Sequence, residues 1–126
     1  MSFVLDSSAL LALLLDEEGA EMVAPITRTS ELSMVNLCEV MTKAVEGGGD
    51  PDLALGTIES YGIRVRSFRE AHAIEAARLR PLTMHLDLSL GDRVCIAQGK
   101  MSAMPVLTAD RRMAEADVGV EIRLIR

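Results

Sequence analysis

Short apolar segments alternate with helical patterns along the whole of this chain. Phe3-Val4-Leu5, Glu31-Leu32-Ser33-Met34, Ile63 to Val65 and Pro105-Val106-Leu107 each read as a strand, and each is followed by helix-forming sequence. A strand that runs parallel to its neighbour needs a crossover long enough to hold a helix. Strict alternation therefore argues for a parallel sheet covered on both faces. The expected architecture is a three-layer α/β/α sandwich around a central, mainly parallel sheet of four to five strands. The fifth segment alternates Val120, Ile122 and Leu124 with Glu121 and Arg123, the pattern of an edge strand with one wet face.

At 126 residues the chain suits a single domain spanning 1–126. The longest apolar run, Ala9 to Leu15, is far shorter than the roughly 20 residues a membrane-spanning helix needs. The start carries no basic residue of the kind a signal peptide uses, so a cytoplasmic protein without a membrane partner is expected. With 19 acidic against 13 basic residues, the net charge of −6 does not suit a general nucleic-acid binder. Arginines nevertheless far outnumber lysines among the bases, which favours bidentate recognition of phosphates or carboxylates. Phe3, Tyr61 and Phe68 are the only aromatic residues, too few for a base-stacking platform.

Helix signals are clear. Ser7 and Ser8 are good N-cap residues ahead of an almost wholly apolar helix. Leu37, Val40, Met41, Ala44 and Val45 fall on one helix face, which Gly47-Gly48-Gly49 ends. Asp50-Pro51 opens another helix, running toward Tyr61. Glu70 to Arg80 reads as a helix ended by Pro81, with a loop over 82–88. A helix over Ser89 to Met101 places Leu90, Val94, Ala97 and Met101 on a common face. A short helix follows Asp110.

Four acids acquire meaning on this scheme. Asp6 directly follows the first strand and Asp110 follows the fourth. Glu39 and Asp92 lie in the first turns of helices that begin at the same sheet edge. In open α/β sheets ligands sit outside the carboxyl ends of the strands, near a switch point. All four can thus converge on one pocket. Clustered carboxylates repel one another at low dielectric unless a cation neutralises them. Hard oxygen donors select Mg²⁺, with Mn²⁺ as a substitute. Zinc is excluded by the spacing of His72, His85, Cys38 and Cys95. Such a site suits phosphoryl chemistry.

The segments Val4-Leu5-Asp6-Ser7-Ser8-Ala9, Asn36-Leu37-Cys38-Glu39-Val40, Ser89-Leu90-Gly91-Asp92-Arg93 and Val106-Leu107-Thr108-Ala109-Asp110-Arg111 together resemble the motifs of PIN-domain proteins, in the branch of VapC-type toxins of bacterial toxin–antitoxin pairs. The match is ordered and spans essentially the whole chain. The resemblance implies a Mg²⁺-dependent endoribonuclease, a homodimer or higher assembly, and an antitoxin partner that covers the active groove. It carries the acidic site over to Asp6, Glu39, Asp92 and Asp110, with metal-activated water attacking phosphorus and a 5′-phosphate left on the product. It assigns Ser7 and Thr108 to hydroxyl positions that orient the first acids or a water.

Each residue also has a plainer reading. Asp6, Asp92 and Asp110 can simply cap helices. Glu39 can pair with Lys43 at i+4. Arg93, Arg111 and Arg112 can hold RNA phosphates or merely offset the acids. Asp87 reads as loop. Cys38, Cys95 and the eight methionines read as core filler. Two rival functions stand beside the nuclease: a non-catalytic scaffold of the same fold, and a phosphatase with a strand-end aspartate nucleophile. The second wants an acid two residues after Asp6, where Ser8 stands.

Overall fold

The computed structural model describes residues 1–126. Five strands form one sheet: β1 (Val4–Leu5), β2 (Glu31–Ser33), β3 (Arg64–Arg66), β4 (Val106–Thr108) and β5 (Ile122–Leu124). Their order is β3-β2-β1-β4-β5, and every neighbouring pair is parallel. The chain builds outward from β1 to β3, then returns to place β4 on the other side of β1. The β1/β4 boundary is therefore the switch point, where helices leaving the two strands diverge and open a crevice.

Side-chain alternation sorts the strands' apolar residues between two cores. Leu5, Leu32 and Leu107 face one side, against Leu10 and Ala12 of α1 (Ser7–Leu14), Leu37 and Val40 of α3 (Met34–Glu46), and Ile58 of α4 (Pro51–Ser60). Val4 and Val106 face the other side, against Ala76 of α5 (Glu70–Arg78) and Val94 of α7 (Leu90–Ser102). The remaining helices are short: α2 (Ala20–Val23), α6 (Arg80–Thr83) and α8 (Arg111–Ala114). This is the expected three-layer sandwich, with five strands.

Several local expectations change. The segment 82–88 is not plain loop: α6 and a 3₁₀ turn over Met84–Leu86 fill most of it. Pro81 sits at the start of α6, where its missing N–H costs nothing, instead of ending the chain's helical run. The single apolar face read for α7 is also wrong. Leu90 and Met101 are exposed, while the run from Val94 to Gly99 is buried all round. The reason is position: α7 packs at once on α5, α3, β1, β2 and β4. The methionines are not core filler as a group. Met113 is fully buried, but Met22, Met34, Met84 and Met101 are exposed. Cys95 is buried as expected, whereas Cys38 is exposed on α3. No helix is long and apolar enough to cross a membrane.

Candidate active site

Asp6 is the centre of the acidic edge. It leaves β1 with extended backbone and stands at the N-cap position of α1, yet its side chain makes no cap bond. Its carboxylate is instead held from the first turn of α1 and from the end of β4. The hydroxyls of Ser8 and Thr108 both donate to Oδ2, at 2.6 and 2.8 Å. Each hydroxyl oxygen then accepts a backbone N–H, Ser8 from Ala109 at 2.9 Å and Thr108 from Asp110 at 3.0 Å. One clamp thus fixes Asp6 and ties the start of α1 to the β4–α8 corner. The hydroxyl that holds Asp6 at this corner is that of Ser8, and not Ser7 as expected. Ser7 is part of the helix's first turn and makes no bond to Asp6. The Thr108 assignment agrees with the geometry.

Glu39 reaches the edge from α3. Asn36, fully buried, donates from one amide nitrogen both to Glu39 Oε1 at 2.8 Å and to the Gly91 carbonyl at 3.1 Å. Gly91 is what makes room. A Cβ there would come within 2.6 Å of the Glu39 carboxyl carbon. The expected Lys43 pairing does not form, because Lys43 lies against Glu46. Asp92 comes from the first turn of α7, where Oδ2 accepts the Ser89 N–H at 2.9 Å and the Ser89 hydroxyl accepts the Asp92 N–H. Asp110 caps α8, its Oδ1 accepting the Arg112 N–H at 2.8 Å. The plain capping readings of Asp92 and Asp110 are therefore true of one oxygen each.

The four carboxylates share a pattern. Each commits one oxygen to a local bond and leaves the other without a hydrogen bond. For Asp6 that second atom, Oδ1, is also buried. Burial raises the Asp6 carboxyl from 3.8 to about 6; the two hydroxyl bonds pull against this, and the charges of Asp92 and Glu39 push with it. Asp6, Glu39 and Asp92 thus feel one another. Asp110 stands at the same edge, on the neighbouring strand, but outside the set of charges that act on Asp6. Nowhere do three or more His, Cys, Asp or Glu side chains close on one point tightly enough to hold an ion by themselves. Hard oxygen donors of this kind, with Asp6 Oδ1 buried and unpartnered, fit a divalent cation.

The arginines divide. Arg93, for which the sequence leaves phosphate contact and charge offset both open, donates to the Ala76 carbonyl at 3.0 Å and so bonds α7 to α5. Arg112 lies 3.7 Å from Asp110 Oδ1, while Arg111 is exposed and free. Asp87 occupies an exposed left-handed turn before α7 and bonds to none of the four acids. Ser8, Asn36 and Gly91 are the residues that sequence reasoning missed. All three lie inside the four motif segments, but their roles depend on contacts between distant parts of the chain.

The fold is a parallel α/β sandwich with acidic side chains at its switch-point edge, though none of the molecule's cavities is lined by the four acids. The chain belongs to the PIN-domain family, whose pattern matches residues 3–119. PIN domains are in general nucleases that use divalent metal ions. No curated protein matches the sequence significantly. Solved structures do match in fold. The chain is 19% identical to a DNA-bound VapBC from Salmonella typhimurium, with a TM-score of 0.76 over 100% of this chain and 99% of that one. It is 25% identical to a chain of VapBC-5, a VapBC-family toxin–antitoxin system of Mycobacterium tuberculosis, with a TM-score of 0.64 over 99% and 98%. FitAcB from Neisseria gonorrhoeae gives 18% identity and a TM-score of 0.72 over 97% and 96%.

Proposed function

We propose that this protein is the toxin of a toxin–antitoxin pair, a Mg²⁺-dependent endoribonuclease that hydrolyses RNA at the Asp6, Glu39, Asp92 and Asp110 edge. The observation that carries the reading is Asp6 Oδ1, which is buried without a hydrogen-bond partner while Oδ2 is held by two hydroxyls. A cation at this edge would satisfy that oxygen.

When bound, Mg²⁺ supplies positive charge at the scissile phosphate and makes a water easier to deprotonate. Asp6, Asp92 and Asp110 would hold it, and Glu39 would complete the set directly or through water. Ser8 and Thr108 keep Asp6 in one orientation, so its free oxygen is presented without rotamer loss. Asn36 does the same for Glu39. Hydrolysis leaves a 5′-phosphate on the downstream product.

The toxin reading draws on the VapBC neighbours and on the order of the four motifs. An acidic body with net charge −6 suits a basic antitoxin tail. The protein acts in the cytoplasm as a homodimer or larger assembly, so that paired sites face one substrate. The scaffold reading is disfavoured because all four acids are present, and the phosphatase reading because Ser8 is occupied in clamping Asp6. The test is a transcriptome-wide map of new RNA 5′ ends after induction in a bacterial host. Sharp 5′-phosphate ends are expected with the wild type and none with Asp6→Asn. Identical maps from two soluble proteins would contradict the proposal.

A further inference from the structure

A second polar pocket lies at the acidic site's edge of the sheet, where β3 ends. It encloses about 330 Å³ and is lined by Arg66, Ser67, Arg69 and His72, with no apolar side chain. Strand register places it relative to Asp6. Val4 pairs with Glu31 and Glu31 with Arg64, so Asp6, Ser33 and Arg66 are level across three strands. Two strand spacings put the Arg66 backbone, at the pocket's near side, roughly 10 Å from that of Asp6.

Its groups are nearly all donors. Arg66 is anchored by one nitrogen, Nη1, to the buried Glu31 at 2.8 Å, which leaves the rest of its guanidinium available. Glu31 is itself saturated by Gln98 and Ser102, so its charge is turned inward. His72 Nδ1 accepts the Arg69 N–H at 3.1 Å, which puts the ring proton on Nε2 as a further donor. Arg69 has no acidic partner. A pocket offering guanidinium, hydroxyl and imidazole donors, without a free acceptor charge, selects an oxyanion. Beside it stands Phe68, 38% exposed and 6.1 Å from the His72 ring, one of three aromatic residues in the chain. An exposed ring next to a pocket of cationic and hydroxyl donors is the arrangement that holds single-stranded nucleic acid.

We infer that Arg66, Ser67, Arg69 and His72 form a subsite for one backbone phosphate of the substrate RNA, within a few nucleotides of the scissile bond, with Phe68 stacking on an adjacent base. This rests on the ribonuclease reading and adds where the strand runs: from the acidic edge across the ends of β1, β2 and β3.

The test uses the full chain carrying Asp6→Asn, which blocks turnover, and a fluorescein-labelled single-stranded RNA ten-mer of mixed sequence, followed by anisotropy at several salt concentrations. Arg69→Ala is expected to weaken binding about tenfold and to lower the salt slope by about 0.7, the value for one phosphate on a single strand. Phe68→Leu is expected to weaken it about fivefold with the slope unchanged. Arg80→Ala, an exposed arginine on α6, changes neither. Binding as tight in Arg69→Ala and Phe68→Leu as in their parent overturns the subsite, as does a parent that binds no RNA or an equal loss in Arg80→Ala. Cleavage by chains with Asp6 intact separates the two claims. If they cut RNA but the subsite variants bind normally, the subsite falls and the nuclease stands. If the subsite variants behave as expected but Asp6→Asn still cuts, the subsite stands and the acidic site falls.

Discussion

At the scale of single residues, the site depends on carboxylates kept where they are uncomfortable. Asp6 is 3% exposed and titrates at about 6 instead of 3.8. The sign follows from linkage. Between those two values the folded chain keeps a proton that the unfolded chain has released, so stability falls as pH rises from about 4 to about 6. The two-unit shift corresponds to about 3 kcal/mol at neutral pH. Asp6→Asn should therefore raise the melting temperature of the metal-free protein at pH 7 while abolishing cleavage, and should flatten that part of the pH–stability curve. Thermal scans in EDTA at pH 4 and pH 7 check it. Gly91→Ala tests the space beside Glu39. Alanine suits a helix better than glycine, but its Cβ meets the Glu39 carboxyl group. Activity is expected to fall at least about tenfold, the range for disturbed support of a metal ligand, with stability kept.

At the scale of elements, α3 and α7 are joined through Asn36, and α5 and α7 through Arg93. Arg93→Ala should cost about 1–2 kcal/mol through the lost bond to Ala76, visible as a lower melting temperature, with RNA affinity unchanged. A weakened salt dependence of RNA binding would return Arg93 to phosphate recognition. Sequence pattern located α3 and α4 well, because Asp50-Pro51 and the glycine run are local signals. It misplaced the burial of α7, since a helix enclosed on several sides by α5, α3 and three strands has no single apolar face to read. Asp6, Asp92 and Asp110 could be placed because each sits by a strand end or a helix start; Glu39, in the second turn of α3, needed the motif pattern. Ser8 and Asn36 bond their acids locally, but each is also tied to a distant segment, Ala109 and Gly91, and Gly91 leaves room for Glu39 52 positions away, none of which sequence spacing shows.

At the scale of the whole molecule, the strand order sets where the acids lie. Placing β4 beside β1 brings Asp6 and Asp110 to one edge of the sheet, and Asp92 and Glu39 come from helices that start at that edge. Burial makes a charged Asp6 costly, with smaller contributions from Asp92 and Glu39, and a cation at that edge would relieve this. Adding Mg²⁺ or Mn²⁺ should raise the melting temperature of the wild type, by about 2.7 kcal/mol of stability at a hundredfold excess over Kd. Asp6→Asn should lose most of that response. The most direct measurement is cleavage of purified bacterial RNA by the purified chain, with Mg²⁺ or with EDTA, beside Asp6→Asn, Asp92→Asn and Glu39→Gln. The account predicts cutting by the wild type with Mg²⁺, none in EDTA, and a fall of at least about a hundredfold in Asp6→Asn and Asp92→Asn. Cutting that persists in EDTA, or at full rate in Asp6→Asn, would contradict it.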